Sequence, residues 1–223
     1  MLPPAEVRRD LVLAGGGHAH ALALRMLAMR PVEGLRITLI SPASHTPYSG
    51  MLPGLVAGHY AFEETHIDLA RLCQWAGVRF LAAEVTALDP ASRRLSLAGR
   101  PDVHYDVLSL DIGSQPELDS VPGARIHAVP VKPVSGLWQR GQHRRDRLGR
   151  ERDPGRRIAV VGGGAGSVEL ALAMAHRLRG SPAAIELWCG APEILQDYNG
   201  RARRAAMKAL QKYSIAVQLA ARV

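Results

Sequence analysis

Only two cysteines occur in 223 residues, and Cys73 and Cys189 stand far apart. With no CxxC or CxxxxC pair, the chain offers neither a disulfide framework nor a dithiol redox centre made of sequence neighbours. That usage favours a cytoplasmic setting. Aromatics are scarce as well, at 4% of residues, so aliphatic side chains and alanine must fill the core; an apolar content of 47% is ample for that. No apolar run approaches the ~20 residues of a membrane-spanning helix. The start, Met1-Leu-Pro-Pro-Ala-Glu-Val7, lacks both a charged opening and an apolar stretch, so no signal peptide is expected. Nine histidines are present, but His18 and His20 are two apart and His45, His59 and His66 are scattered. Without a His-x-x-x-His pair or a Cys/His cluster at zinc spacing, no metal site is expected. Ser49 lies in Tyr-Ser-Gly, outside any Gly-x-Ser-x-Gly elbow, which excludes a hydrolase nucleophile of that type. Cys73 falls on the apolar side of a helical pattern and is expected to be a buried, inert thiol.

The net charge of +8 has local sources. One is an arginine-rich run from Gln139 to Arg157, interrupted by Gly141, Gly149, Pro154 and Gly155, which reads as a solvated connector. The other is Arg201, Arg203, Arg204, Lys208 and Lys212 on one helix. Nucleic-acid binding would need a basic face with aromatic or motif support, and neither is there. Attraction to an anionic membrane surface fits better, since each basic residue near such a surface adds affinity.

Against these absences stand two glycine-rich turns. The first reads Leu11-Val-Leu-Ala-Gly15-Gly-Gly17-His18-Ala-His20, and the second Ile158-Ala-Val-Val-Gly162-Gly-Gly164-Ala165-Gly166-Ser167-Val-Glu169. Each follows an apolar run and opens a helical pattern. Gly15 suits the tight turn after the strand, and Gly17 leaves room for a pyrophosphate to approach the main chain; Gly162 and Gly164 take those places in the second copy. The free N–H groups and positive dipole end of the following helix face the anion. The third position wants a small residue. Ser167 nearly satisfies this and His20 does not, so either the first helix sits further from its strand or His20 points along the helix toward the cofactor. A single turn of this kind is common in αβ units that bind no dinucleotide. Two in strand–turn–helix context suggest a chain that binds two dinucleotides, as a flavoprotein fed by a pyridine nucleotide does.

Along the chain, strands are expected at Leu11–Ala14, Arg36–Ile40, Val78–Ala82, Glu84–Leu88, Arg94–Leu97 and Tyr105–Leu110. Helices are expected at Ala19–Arg30 and Ile67–Ala76, the latter with Leu69, Leu72 and Trp75 on one side. Ser41 to Tyr60 reads as a long irregular stretch, a length usually tied to function. After a Pro-rich passage from Pro122 to Pro133 comes a short helix near Gly136–Arg147. The second unit then runs strand Ile158–Val161, helix Gly166–Arg179, strand Ala184–Trp188, helix Arg201–Tyr213 and a last strand near Ile215–Leu219.

The order of these pieces resembles the pyridine nucleotide-disulfide oxidoreductase superfamily. The residues that carry the likeness are the two GGG turns, His45-Thr-Pro-Tyr-Ser-Gly-Met-Leu-Pro-Gly-Leu-Val-Ala-Gly-His-Tyr60, a β-meander and Leu108-Ser-Leu-Asp-Ile-Gly113. The branch is similar to type II NADH dehydrogenases and sulfide:quinone oxidoreductases. Tyr48–Gly54 and Asp197-Tyr-Asn-Gly200 resemble most closely the FAD-containing proteins fused to, or beside, selenide, water dikinase. The resemblance implies an α/β fold with two Rossmann-like, three-layer domains, the second inserted in the first. It implies FAD at the first turn, against Gly15, Gly17, His18 and His20, and NAD(P)H at the second, across Gly162, Gly164, Ala165, Gly166 and Ser167. Ser41 stands where the family's ribose-binding acid ends the second strand, and Cys189 stands at the matching place in the second unit, leaving the choice between NADH and NADPH open. Val85 would contact adenine through its backbone, the Pro47–Pro53 loop with Met51 would pass near the isoalloxazine ring, and Ile112 and Gly113 would match the end of an Ala-Thr-Gly element. Glu169 would sit near the nicotinamide; an acid in the first turns of a helix is also favoured by the dipole alone.

The expected domains are an FAD-binding part over 1–116, a connector over 117–156 and an incomplete NAD(P)-binding domain over 157–223, in a chain that reads as truncated at its C-terminus. The expected activity is hydride transfer from NAD(P)H to flavin and on to a small-molecule acceptor such as a quinone. The resemblance points further to a selenide, water dikinase partner, and a homodimer and a peripheral contact at the inner face of the membrane belong to the same expectation. The rival reading is a non-catalytic dinucleotide-binding or docking module. No catalytic residue is assigned, since hydride transfer needs no acid or base.

Overall fold

The computed structural model describes residues 7–132, 157–221 and 223; the expected helix near Gly136–Arg147 and most of the arginine-rich connector lie outside them. The chain divides into two units, 1–48 with 66–115, and 49–65 with 116–223.

The first unit is built on a parallel sheet. Strands β1 (Arg9–Ala14), β2 (Leu35–Ser41), β5 (Arg79–Ala82) and β9 (Val107–Leu110) lie in the order β5-β2-β1-β9. Strand alternation sends successive side chains to opposite faces. Leu13 and Leu39 meet Ala21 and Leu24 of α1 (His18–Met29) and Leu69 and Cys73 of α4 (Leu69–Ala76) on one face. Val12, Ala14 and Ile40 meet Ala83, Leu95 and Leu97 on the other. The last two belong to an antiparallel meander of β6 (Val85–Asp89), β7 (Arg94–Leu97) and β8 (Arg100–His104). Helices, parallel sheet and meander make three layers. A short hairpin-like pair, β3 (His45–Pro47) with β4 (His66–Asp68), completes the unit.

The second unit repeats the plan. Strands β10 (Arg157–Val161), β11 (Ala184–Trp188) and β12 (Ala216–Gln218) are parallel and in sequence order. Helices α6 (Ala165–Arg177) and α7 (Gly200–Lys212) close a core of Val160, Val168, Ala171, Ile185, Leu187 and Leu210. The segment 49–65 belongs to this unit by its contacts: α2 (Leu52–Ala57), entered through a 3-10 turn at Ser49–Met51, packs on α6, and α3 (Phe62–Thr65) follows it. A short helix, α5 (Ala124–His127), lies in the Pro-rich passage.

Four expectations need correction. Ser41–Tyr60 is not irregular: it holds β3, the 3-10 turn and α2. The helix expected from Ile67 starts at Leu69, because Asp68 caps it, accepting the Arg71 N–H at 3.0 Å. Its buried face is Leu69 and Cys73, four residues apart, and Trp75 is 61% exposed. The strand expected from Tyr105 begins at Val107, and β8, just before it, is an additional strand.

Candidate functional site

In the first unit β1 ends at buried Ala14, and Gly15 turns the chain with φ +100°, its N–H donating to the Ile40 carbonyl at 2.8 Å. A side chain there would overlap the Asp111 carbonyl oxygen, which follows β9 directly. Gly17 is the N-cap of α1 in extended conformation, and its N–H donates to the Asp111 carbonyl at 3.3 Å. The Asp111 carboxylate lies against Gly17, where a Cβ would overlap it, and accepts the His20 N–H at 3.2 Å. An acid from the neighbouring strand thus caps the helix in place of the N-cap residue itself.

His20 is turned into the fold. Its ring is 3% exposed, with Nδ1 at 2.8 Å from the Gly15 carbonyl and Nε2 at 2.9 Å from the Ser109 hydroxyl. A carbonyl carries no proton, so Nδ1–H donates to Gly15 and, in the neutral ring, Nε2 accepts from Ser109. His18, the first helical residue, packs edge-on against Tyr48, ring centroids 4.9 Å apart, and its Nε2 is fully buried without a hydrogen-bond partner. Ser41 is 5% exposed; its hydroxyl donates to the Ala43 carbonyl at 2.9 Å and lies 2.8 Å from where a Cβ on Gly16 would stand. Gly15, Gly17, His18 and His20 therefore meet at one helix end. Asp111, Ser109 and Tyr48 join them there. Pro47 sits in β3 opposite His66, and Val85 opens β6 opposite Leu97, half-buried. Ile112 is 74% exposed, and Gly113 has φ +76° with open space beside it.

In the second unit Gly162 turns at φ +134°, its N–H donating to the Trp188 carbonyl at 2.8 Å, and a side chain there would overlap the Ser167 hydroxyl. Gly163 is backed by the Cys189 thiol, which is 1% exposed and approaches the Glu193 carbonyl at 3.5 Å. Cys189 thus plays the part of Ser41, a small buried side chain behind the middle glycine. Gly164 is the N-cap of α6, and neither it nor Gly166 has anything within 4 Å of where a Cβ would be. Ala165 opens the helix half-buried, and Glu169 is exposed on its second turn. Met51, also in this unit, precedes α2 and is half-buried.

The family described as pyridine nucleotide-disulphide oxidoreductase matches residues 9–223. The chain belongs to this family. Its members are FAD-dependent oxidoreductases that use NAD(P)H, and the chain has their Rossmann-type two-domain architecture. Among its pyridine nucleotide-disulphide oxidoreductase relatives is a probable ferredoxin reductase, CtmF, of Castellaniella defragrans, 31% identical over 86% of this chain and 47% of that protein. Two solved structures share the fold. One is NDH2 of Plasmodium falciparum in complex with NADH (TM-score 0.81, 17% identity, 95% of this chain and 48% of that one). The other is the sulfide:quinone oxidoreductase of Aquifex aeolicus (TM-score 0.71, 18% identity, 96% and 51%). The chain spans about half the length of the curated relatives it matches. Among the described residues no helix is long and apolar enough to cross a membrane, and no group of three or more His, Cys, Asp or Glu could hold a metal ion.

Proposed function

We propose that the chain is the dinucleotide-binding part of an FAD-dependent NAD(P)H oxidoreductase, with FAD at the first turn and NAD(P)H at the second. The observation that carries this reading is the pair of glycine turns, each ending the first strand of a parallel sheet and opening a helix. The residues fit two pyrophosphates in different ways. At the second turn, the space beside Gly164 and Gly166 is open, so an anion can reach the first N–H groups of α6. At the first, the orphaned His18 Nε2 is a buried polar atom beside the start of α1, and a phosphate oxygen would satisfy it. Bound flavin would supply the hydride-accepting chemistry. The chain's own residues bind and orient: Gly15 and Gly17 let the first turn close tightly on Asp111, His18 at the start of α1 donates to the flavin's phosphates, and Gly164 admits those of the nicotinamide dinucleotide.

The electron acceptor in this reading is a small molecule of quinone type, as the name of the sulfide:quinone oxidoreductase relative suggests; the name of the ferredoxin reductase relative makes an iron–sulfur protein the rival outcome. A selenide, water dikinase partner rests on the resemblance of Tyr48–Gly54 and Asp197–Gly200 alone, a homodimer on the family resemblance, and a peripheral membrane contact on the basic residues Arg201, Arg203, Arg204, Lys208 and Lys212.

The test is anaerobic reduction of the FAD-loaded protein. NADH or NADPH should bleach the absorbance near ~450 nm that belongs to oxidised flavin. Gly164→Val should leave the yellow colour and abolish the bleaching. A variant that loses flavin but is still reduced at the parent rate per bound flavin reverses the two assignments.

A further inference from the structure

The dinucleotide turn of the second unit lacks the carboxylate that ordinarily reads the adenosine ribose at the end of the second strand. Cys189 holds that position and is sealed behind Gly163, so it cannot reach a ligand. The loop after it is nonetheless fastened to the turn. The Leu195 N–H donates to the Gly163 carbonyl at 2.7 Å, and the Glu193 carbonyl lies 3.9 Å from where a Cβ on Gly163 would be. Leu195 adopts φ +52°, a left-handed conformation that leucine rarely takes, and holds it with its side chain 8% exposed in the core. The loop between Cys189 and Leu195 contains one acid, Glu193, exposed and ion-paired with Arg203 in the first turns of α7.

The geometry points to Glu193 as the residue that selects the nicotinamide dinucleotide, with Arg203 as its counter-ion; this rests on the proposed NAD(P)H role of the second turn. Glu193 reaches the ribose edge from four residues beyond the usual place. Its carboxylate accepts a hydrogen bond from a 2′-hydroxyl and repels a 2′-phosphate. Arg203, engaged by Glu193, is withheld from the phosphate it would otherwise bind. The protein therefore prefers NADH to NADPH, and removing the charge of Glu193 both weakens the first and frees a guanidinium for the second.

Calorimetric titration with NAD+ and NADP+, which cannot reduce flavin, reads this directly. The native chain is expected to bind NAD+ about tenfold or more tighter than NADP+, the scale of one charge-assisted hydrogen bond. Glu193→Gln should reduce or invert that ratio, and Glu193→Gln with Arg203→Ala should lose the gain in NADP+ affinity. Both positions are partly or largely exposed, and an unchanged melting temperature will show that the variants fold. Equal affinities in the native chain, or an unchanged ratio in Glu193→Gln, would overturn the inference and leave the proposed function standing. A native chain that binds neither nucleotide would overturn both.

Discussion

At the scale of single residues, the two turns differ in what fills the space beside their last glycine. At Gly164 it is open, so a side chain there opposes a ligand and nothing else. At Gly17 it is filled by the carboxylate of Asp111 from the same protein. Gly17→Ala should therefore destabilise the unit even without FAD, although the backbone angles of Gly17 suit alanine. Asp111→Ala should rescue it. Thermal or urea denaturation of the single and double variants should give a coupling of about 1–3 kcal/mol, and additive effects would refute the contact. Cys73 makes a second prediction. Burial pushes its thiol up to about 11 from an ordinary 9.0. The folded state favours the neutral thiol, while an unfolded chain ionises it earlier. Its contribution is therefore full below pH 9 and is lost as pH rises toward 11, about 2–3 kcal/mol in all. Urea midpoints measured across that range should fall more steeply for the native chain than for Cys73→Ala.

At the scale of elements, α4 shows how local chemistry sets a boundary. Asp68→Ala removes the acceptor for the Arg71 N–H and should lower stability by about 1 kcal/mol, visible in the denaturation midpoint of the first unit. Much of this architecture was legible in sequence. The sheet strands alternate or run apolar, the turns are marked by paired glycines, and β11 falls on Ala184–Trp188 as its pattern says. What escaped has physical reasons. Pro53 looks like a breaker, yet it lies in the first turn of α2, where its missing N–H is no loss. Gly58, with φ +85°, ends that helix rather than marking a loop. β8 carries Pro101 and little apolar pattern because it is the edge of its sheet, where an unpaired side tolerates proline. Trp75 sits six residues past Leu69, off the buried face, despite its size. Nothing in the sequence ties Asp111 to the first turn; its work at Gly17 appears once β9 is known to lie beside β1.

At the scale of the molecule, the segment 49–65 belongs to the second unit although the first surrounds it in sequence. Leu52 and Leu55 are buried there, and α2 packs on α6. Hydrogen exchange should therefore show the amides of Leu55–Ala57 opening together with the core of α6. Protection that follows β1 and β2 instead would place α2 with the wrong unit. This arrangement also has a consequence for synthesis. Leu52–Ala57 leaves the ribosome early, and Ala165–Arg177 much later. During translation the first unit can complete its sheet as soon as Val107–Leu110 has emerged, while Leu52 and Leu55 wait without their partner. For that interval the nascent chain displays an apolar helix in search of a surface. It is there that a chaperone would find purchase, and slowing elongation between the two helices should raise aggregation more than slowing it elsewhere.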